Sequence, residues 1–245
     1  MIYNFSNIKA GGGIQVSLSF LYYLSKLKSP HNDTIILSKK LNLEIDRQEI
    51  DLSKFKILIV KNFFHKIINL TFHNHNIVYT IFGPTYGFKG RNVKWVNGFA
   101  QAWILFPNNK VYSEIGFIKR HFLKLKFKIQ KKLFSKSDTF VVEHKKIKNL
   151  LEKTYPKKNI IVANNSINEV FKNNKLWREI NVDSSKIKIG IMGNSYVHKN
   201  LKILPFVKRI LSTKYNIDAD FFVTLTEYEM KKMSNHFRQN INSLG

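Results

Sequence analysis

The sequence contains no cysteine, and its 245 residues include only 5 prolines and 11 glycines. The absence of cysteine excludes disulfide bonds, a thiol nucleophile and a thiolate metal site, and it is compatible with a reducing compartment. Hydrophobic residues make up 44% of the chain and aromatic residues 13%, which excludes a disordered protein and favours a packed α/β or α+β fold. We therefore expect an aromatic-rich core, in one large domain or two modest ones.

Acidic residues are also scarce. The chain contains 16 Asp and Glu residues and 41 Lys and Arg residues, which gives a formal net charge of +25. A charge of this size attracts phosphate groups, whether they belong to nucleic acid, to anionic lipid or to a nucleotide sugar. The chain is at the same time rich in Lys, Asn and Ile, a bias that an AT-rich genome produces. The charge alone therefore does not identify the partner.

Long apolar runs are absent as well. No run approaches the roughly 18 residues that are needed to span a bilayer. The first residues, 1–5, lack the charged start and the apolar stretch of a secretory signal. The sequence therefore predicts a cytoplasmic protein.

Short β-branched runs alternate with helical patterns along the first part of the chain. Residues 1–9 form a strand or loop that ends at the triplet Gly11-Gly12-Gly13, and apolar residues at 14, 18, 21 and 24 then predict a helix. Alternation of strands and helices at this spacing indicates βαβ units and a doubly wound parallel sheet. The further predicted strands are 34–38, 56–60, 76–82, 139–142 and 159–163.

A polar stretch without periodicity, at 172–185, predicts a linker between two domains. After it, a strand at 186–193, a helix at about 201–214 and a strand at 220–225 predict a second doubly wound domain. A domain of this kind needs on the order of 100 residues. We therefore expect an N-terminal domain at 1–177 and a second, incomplete domain at 181–245.

The segment 117–136 is strongly basic and contains no acidic residue. Apolar residues at 118, 122, 125, 129 and 133 form a helical stripe, although 123–129 alternates like a strand, and the length favours a helix. The stripe has two interpretations: it packs on the sheet of its own domain, or it faces lipid and docks the protein on an anionic membrane surface. The lysines expected to contact such a membrane are Lys124, Lys128, Lys131 and Lys132.

Six short motifs follow one another along the chain: GGG with QV in 11–16, VYTIFGP at 78–84, SDTFVV at 137–142, IIVANNSI at 160–167, IGIMG at 189–193 and HKNL at 198–201. In this order and spacing they resemble the retaining nucleotide-sugar glycosyltransferases of family four. The resemblance covers nearly the whole chain. It implies an α/β protein of the GT-B type, in which two Rossmann-like, doubly wound domains bind the acceptor and the donor.

The resemblance also implies site residues. Glycines before a helix let the backbone approach a phosphate, and a lysine can stabilise the charge of a diphosphate leaving group. The implied donor phosphate-binding residues are Gly12, Gly13, Gly193 and Lys199, and the implied cleft-lining residues are Gly83, Pro84, His198 and Asn200.

Two positions depart from the family pattern. Asn194 stands where the family often has an arginine, and Phe82 stands where it commonly has a histidine. The acidic motif of the family, two Glu residues that contact the donor, should lie beyond Gly245. No catalytic residue is therefore assigned, and we expect this chain to bind nucleotide sugars poorly and to turn over little.

The resemblance implies transfer of a sugar, with retention, from a nucleotide diphosphate sugar to a glycan acceptor of a lipid-linked cell-surface polysaccharide or lipopolysaccharide. It implies no cofactor and no metal. The basic segment, where it docks on an anionic membrane, predicts a location on the inner face of the cytoplasmic membrane. Two alternatives remain: a basic nucleic-acid-binding protein and an inactive sugar-binding remnant. Exposed aromatic residues between basic ones would favour nucleic acid, whereas buried ones favour the transferase.

Overall fold

The computed structural model describes residues 1–27, 33–72, 76–165, 185–196 and 199–244. The chain divides into two compact units, the first formed by Met1–Asn109 with Gly116–Trp177 and the second by Lys110–Ile115 with Arg178–Gly245. The linker predicted at 172–185 lies outside the described residues, except for Ser185.

Within the described residues, the first unit forms a seven-stranded sheet in which all neighbouring strands are parallel. The strand order is β3-β2-β1-β4-β5-β6-β7, so the winding direction reverses between β1 and β4. This arrangement is Rossmann-like, and the reversal is the point where such sheets bind ligands. The strands are β1 Ile2–Phe5, β2 Thr34–Ser38, β3 Lys56–Val60, β4 Ile77–Thr80, β5 Lys94–Gly98, β6 Thr139–Val142 and β7 Asn159–Val162.

Helices connect these strands, and apolar side chains cover both faces of the sheet. On one face Leu18 and Leu41 pack with Phe5 and the strands around it. On the other face a smaller cluster surrounds Trp95. The helices of this unit are α1 Gly12–Lys26, α2 Lys39–Arg47, α3 Phe63–Phe72, α4 Ala102–Leu105, α5 Phe117–Phe134 and α6 Lys145–Thr154.

The strand β5 was not predicted from the sequence. It reads KWVNG and therefore lacks the continuous apolar run of its neighbours. Three of its residues, Trp95, Asn97 and Gly98, are nevertheless buried. The strand predicted at 76–82 is shorter than expected, because only Ile77–Thr80 pairs in the sheet.

The second unit contains a three-stranded parallel sheet with the order β10-β9-β8. Its core consists of Phe221, Val223 and Leu225 together with Phe237. A 3-10 turn at Leu201–Ile203 precedes α7, where the sequence predicted one continuous helix. The elements are β8 Ile187–Ile191, α7 Leu204–Tyr215, β9 Ala219–Val223, α8 Glu227–Lys231, α9 Asn235–Asn240 and β10 Ile241–Ser243, of which α8, α9 and β10 were not predicted.

The basic segment is helical, as predicted, and forms α5. Its buried face carries Gln130 and Phe134, and Phe134 packs in the core with Phe99 and Phe140. The predicted apolar stripe lies on a different face. Four of its five residues are exposed and Leu133 is half-buried, which removes the interpretation that the stripe packs on the sheet. Ile118 is 85% exposed, Phe122 69%, Leu125 57% and Ile129 54%. Among the described helices none is long and apolar enough to cross a bilayer.

Candidate functional site

A pocket of about 740 Å³ lies at the carboxyl edge of the seven-stranded sheet, and we call it the basic pocket. Its walls come from the residues that follow β1, β2, β3, β4 and β5, together with side chains of α3 and α5. Ligands of doubly wound sheets bind at this edge, next to the reversal between β1 and β4. The volume is in the range of small-molecule sites.

The basic pocket is lined by positive charge. None of its described lining residues is Asp or Glu. The helix α2 also begins at this edge, with Ser38 as its N-cap and no acidic residue in its first turn, so its free N–H groups favour an anion. The lysines of the lining are Lys9, Lys39, Lys40, Lys61, Lys66 and Lys126.

Lys66, on α3, is the buried member of this group and is only 6% exposed. Among the described residues its amine donates one hydrogen bond, to Oδ1 of Asn7, and it lies 4.1 Å from the ring centroid of Tyr86. Burial, and then the nearby charge of Lys9, lowers the pKa of Lys66 to about 7. Near neutral pH the amine of Lys66 is therefore present in both its protonated and its neutral form.

Asn7 connects this lysine to the turn after β4. Its Nδ2 donates to the carbonyl oxygens of Phe82, at 2.8 Å, and of Pro84, at 3.2 Å. Gly83 has φ 90°, and a Cβ added there would lie 2.9 Å from Nδ2 of Asn7. A glycine is therefore required at this turn. Gly83 and Pro84, which the sequence placed in a cleft, both line the basic pocket.

A chain of buried polar side chains supports the same edge of the sheet. Nδ2 of Asn4 donates to Oγ1 of Thr80 at 3.0 Å, and the hydroxyls of Thr80 and Thr85 lie 2.7 Å apart. Oγ1 of Thr85 donates to Asn97 at 2.7 Å, and Nδ2 of Asn97 donates to Ser137 at 2.6 Å. These bonds hold the loop that carries Tyr86. The sequence analysis missed them, although polar residues within apolar strands were a usable signal.

Gln130, on α5, places an amide in the lining of the basic pocket and is 7% exposed. Its Nε2 donates to the hydroxyl of Tyr86 at 3.2 Å. Its Oε1 is buried and accepts no hydrogen bond from the described residues. A buried acceptor without a donor is unfavourable.

The predicted glycine loop lies at the start of α1. Gly11 precedes the helix with φ 63°, whereas Gly12 and Gly13 are its first two residues. A Cβ at Gly11 or Gly12 would meet no atom within 4 Å. Of the triplet, only Gly11 therefore needs to be glycine for its backbone conformation. The first turn contains no acidic residue, and none of the three glycines lines the basic pocket.

In the second unit, the loop after β8 is held by a carboxylate that the sequence analysis missed. The backbone N–H and the hydroxyl of Ser195 donate to Oε1 of Glu229 at 3.1 and 3.0 Å. The backbone N–H groups of Ser195 and then of Thr226 lower the pKa of Glu229. Glu229 also closes a capping box with Thr226 at the start of α8, and the T-x-x-E spacing was the available signal.

The remaining predicted site residues are Gly193 and Lys199, for the donor phosphates, and His198 and Asn200, for the cleft. The backbone N–H of Gly193 donates to Oγ1 of Thr224 at 3.0 Å. Lys199 is exposed. Asn200 has φ 49° and lines a smaller pocket of about 320 Å³ in the same unit. His198 lies outside the described residues.

Among the described residues, no group of three or more His, Asp or Glu side chains is arranged to hold a metal ion. The chain matches no protein-family model and no curated protein sequence. The function is therefore inferred from the chemistry of these two loops and of the basic pocket.

Proposed function

We propose that the protein is a glycosyltransferase that transfers a sugar, with retention, from a nucleotide diphosphate sugar to the glycan acceptor of a lipid-linked cell-surface polysaccharide. The observation that carries the proposal is the basic pocket, which combines a ring of lysines with a wall of Phe63, Phe82 and Tyr86 at the ligand-binding edge of a Rossmann-like sheet. Aromatic faces with a few polar groups are suited to a sugar ring. The first unit would hold the acceptor.

For the donor, we propose that its diphosphate binds at Gly12, Gly13, Gly193 and Lys199. The N-terminus of α1 supports this assignment because Gly11 and Gly12 are exposed and the first turn contains no acidic side chain. The loop at Gly193 is held in place by Thr224, and by Glu229 through Ser195. No cofactor is part of the proposed reaction.

The donor assignment is tested by replacing Lys199 with alanine. NMR line broadening of UDP-glucose, UDP-galactose and GDP-mannose detects weak binding, and we expect at least one of them to bind in the millimolar range. Loss of one charge-assisted hydrogen bond costs about 1.5–3 kcal/mol, so Lys199→Ala should weaken binding about tenfold or more.

Lys231→Ala is the matched control, because Lys231 is also an exposed lysine of the second unit. It should leave the affinity unchanged. The donor assignment is wrong if no nucleotide sugar binds, or if Lys199→Ala and Lys231→Ala have the same effect.

For the location, we propose peripheral binding to the inner face of the cytoplasmic membrane through α5. The exposed stripe would enter the lipid headgroup region, while Lys124, Lys128, Lys131 and Lys132 would contact anionic headgroups. All four lysines are exposed, and the segment 117–136 contains no acidic residue that would repel the lipid.

Nucleic-acid binding is the second candidate function, and one observation favours it. Phe117 and Phe122 are 67% and 69% exposed, and both lie among lysines, as in a surface that stacks bases. The neighbours of Phe122 on its face of the helix are the aliphatic residues Ile118, Leu125 and Ile129, which are also exposed. A mixed aliphatic and aromatic face is more suited to lipid than to bases, so we favour the membrane.

A further inference from the structure

We infer that the basic pocket binds a sugar that carries a negative charge, either a sugar phosphate or a sugar acid. The inference rests on the proposed function in one respect, namely that this sugar is the acceptor. The binding site itself is argued from the charge of the pocket, from one unsatisfied acceptor atom and from the aromatic wall.

The charge of the pocket favours an anion. Six lysines line it, and no described lining residue is acidic. Five of them are exposed and can be solvated, but Lys66 is 6% exposed and, among the described residues, donates a hydrogen bond only to Asn7. A buried ammonium group is costly unless an anion pairs with it. A phosphate or carboxylate in the pocket would supply that partner and use the remaining N–H groups of Lys66.

The unsatisfied acceptor is Oε1 of Gln130, and it requires a donor. Gln130 lines the same pocket, but its Oε1 has no exposed surface there, so a ligand reaches this atom only when the side chain turns away from the hydroxyl of Tyr86. A simple anion such as sulfate has no proton to donate at neutral pH. A sugar hydroxyl donates readily, so a sugar that also carries an anion satisfies both Lys66 and Gln130.

The aromatic side chains of the pocket favour a ligand that contains a sugar ring. The rings of Phe63 and Tyr86 meet edge to face with centroids 5.5 Å apart, and Phe82 lines the pocket beside them. A pyranose has an apolar face of C–H groups that packs against aromatic side chains. The polar groups of Lys66 and Gln130 then fix the orientation of the sugar.

Isothermal titration calorimetry with four probes tests the inference: glucose 6-phosphate, glucuronate, glucose and sulfate. We expect the two charged sugars to bind at least tenfold more tightly than either glucose or sulfate. Lys66→Met should weaken both charged sugars and sulfate at least tenfold, because it removes the buried cation. Gln130→Met should weaken the two charged sugars and leave sulfate unchanged.

Lys153→Met is the control, because Lys153 is exposed on α6 and does not line the pocket. It should change none of these affinities. If Lys66→Met fails to fold, Lys9→Met tests the same charge from an exposed position of the lining and should weaken the charged probes. Equal binding of glucose and glucose 6-phosphate, or an equal loss of sulfate and charged sugars in Gln130→Met, would overturn the inference.

The two proposals fail in distinguishable ways, since these titrations contain no nucleotide. Binding of glucose 6-phosphate that depends on Lys66, together with no binding of any nucleotide sugar, would leave the pocket assigned and remove the transferase. Binding of a nucleotide sugar that depends on Lys199, with no binding of charged sugars, would overturn the pocket inference alone. Binding of UDP that depends on Lys66 rather than Lys199 would assign the pocket to the donor and also overturn the inference.

Discussion

Lys66 is held where its positive charge is unfavourable, and this has a measurable effect on stability. Burial lowers the pKa of Lys66 to about 7, whereas a lysine in the unfolded chain has a pKa near 10.5. Between these two values the unfolded state binds more protons than the folded state. Stability therefore rises with pH across this window, and below it the charged Lys66 lowers stability by a constant amount.

We predict that Lys66→Met stabilises the ligand-free protein most at pH 6 and progressively less as the pH rises to 9. The difference in the free energy of unfolding between the two proteins should shrink by about 1 kcal/mol per pH unit above pH 7. The other lysines of the pocket, such as Lys9, Lys61 and Lys126, are present in both proteins, so the difference isolates Lys66. Urea unfolding at pH 6, 7, 8 and 9 measures it. A difference independent of pH would show that the amine is solvated.

The sequence could predict the turn at Gly83 and Pro84 but not the role of Lys66. A Gly-Pro pair after an apolar run must end a strand, so these positions were placed correctly at a turn. Lys66 is one of many lysines in the sequence, and its burial depends on Asn7 and Tyr86, which are distant in the chain. The role of Gln130 could not be predicted for the same reason, because its partner Tyr86 lies far away in the chain.

At the scale of elements, α5 shows what an apolar pattern can and cannot determine. The pattern predicted a helix, but the helix has two apolar faces with the same period. Packing with Phe99 and Phe140 selects the face of Phe134, and the face of Ile118 and Phe122 remains exposed. Only the tertiary contacts decide between the faces.

In β5 a backbone contact decides the residue type. A Cβ at Gly98 would lie 1.7 Å from the carbonyl oxygen of Ile81, so this position requires glycine.

We predict that changing Lys124, Lys128, Lys131 and Lys132 together to Glu abolishes binding to anionic lipid vesicles. Each lysine contributes about 1 kcal/mol near such a surface, and the reversed charge adds repulsion, so the loss should exceed a hundredfold. Vesicle sedimentation at two salt concentrations measures it, with binding expected to fall as salt rises. The matched control changes the exposed Lys145, Lys146, Lys153 and Lys157 to Glu. An equal loss in the control would show attraction by net charge alone.

At the scale of the whole molecule, the sequence correctly predicted an α/β protein with parallel, Rossmann-like sheets. Alternating apolar runs and helical patterns are local features, and they determine this architecture. The basic pocket does not follow from any local sequence pattern, because residues from five strand ends and from α5 meet there. The charge of +25 is likewise a property of the whole chain, and it attracts any polyanion, RNA included.

The last prediction separates lipid from nucleic acid through Phe117 and Phe122. In a membrane-binding helix these rings contribute buried apolar area, so changing both to Ser should weaken binding to anionic vesicles about tenfold or more. Binding of a single-stranded RNA through charge alone should not change, whereas stacked bases would lose about 1–3 kcal/mol for each ring removed. Vesicle sedimentation and fluorescence anisotropy with a labelled oligonucleotide, in the same buffer, compare the two. The control is Phe64→Ser, since Phe64 is 76% exposed and lies on α3. A loss of RNA binding equal to the loss of vesicle binding would identify α5 as a nucleic-acid surface.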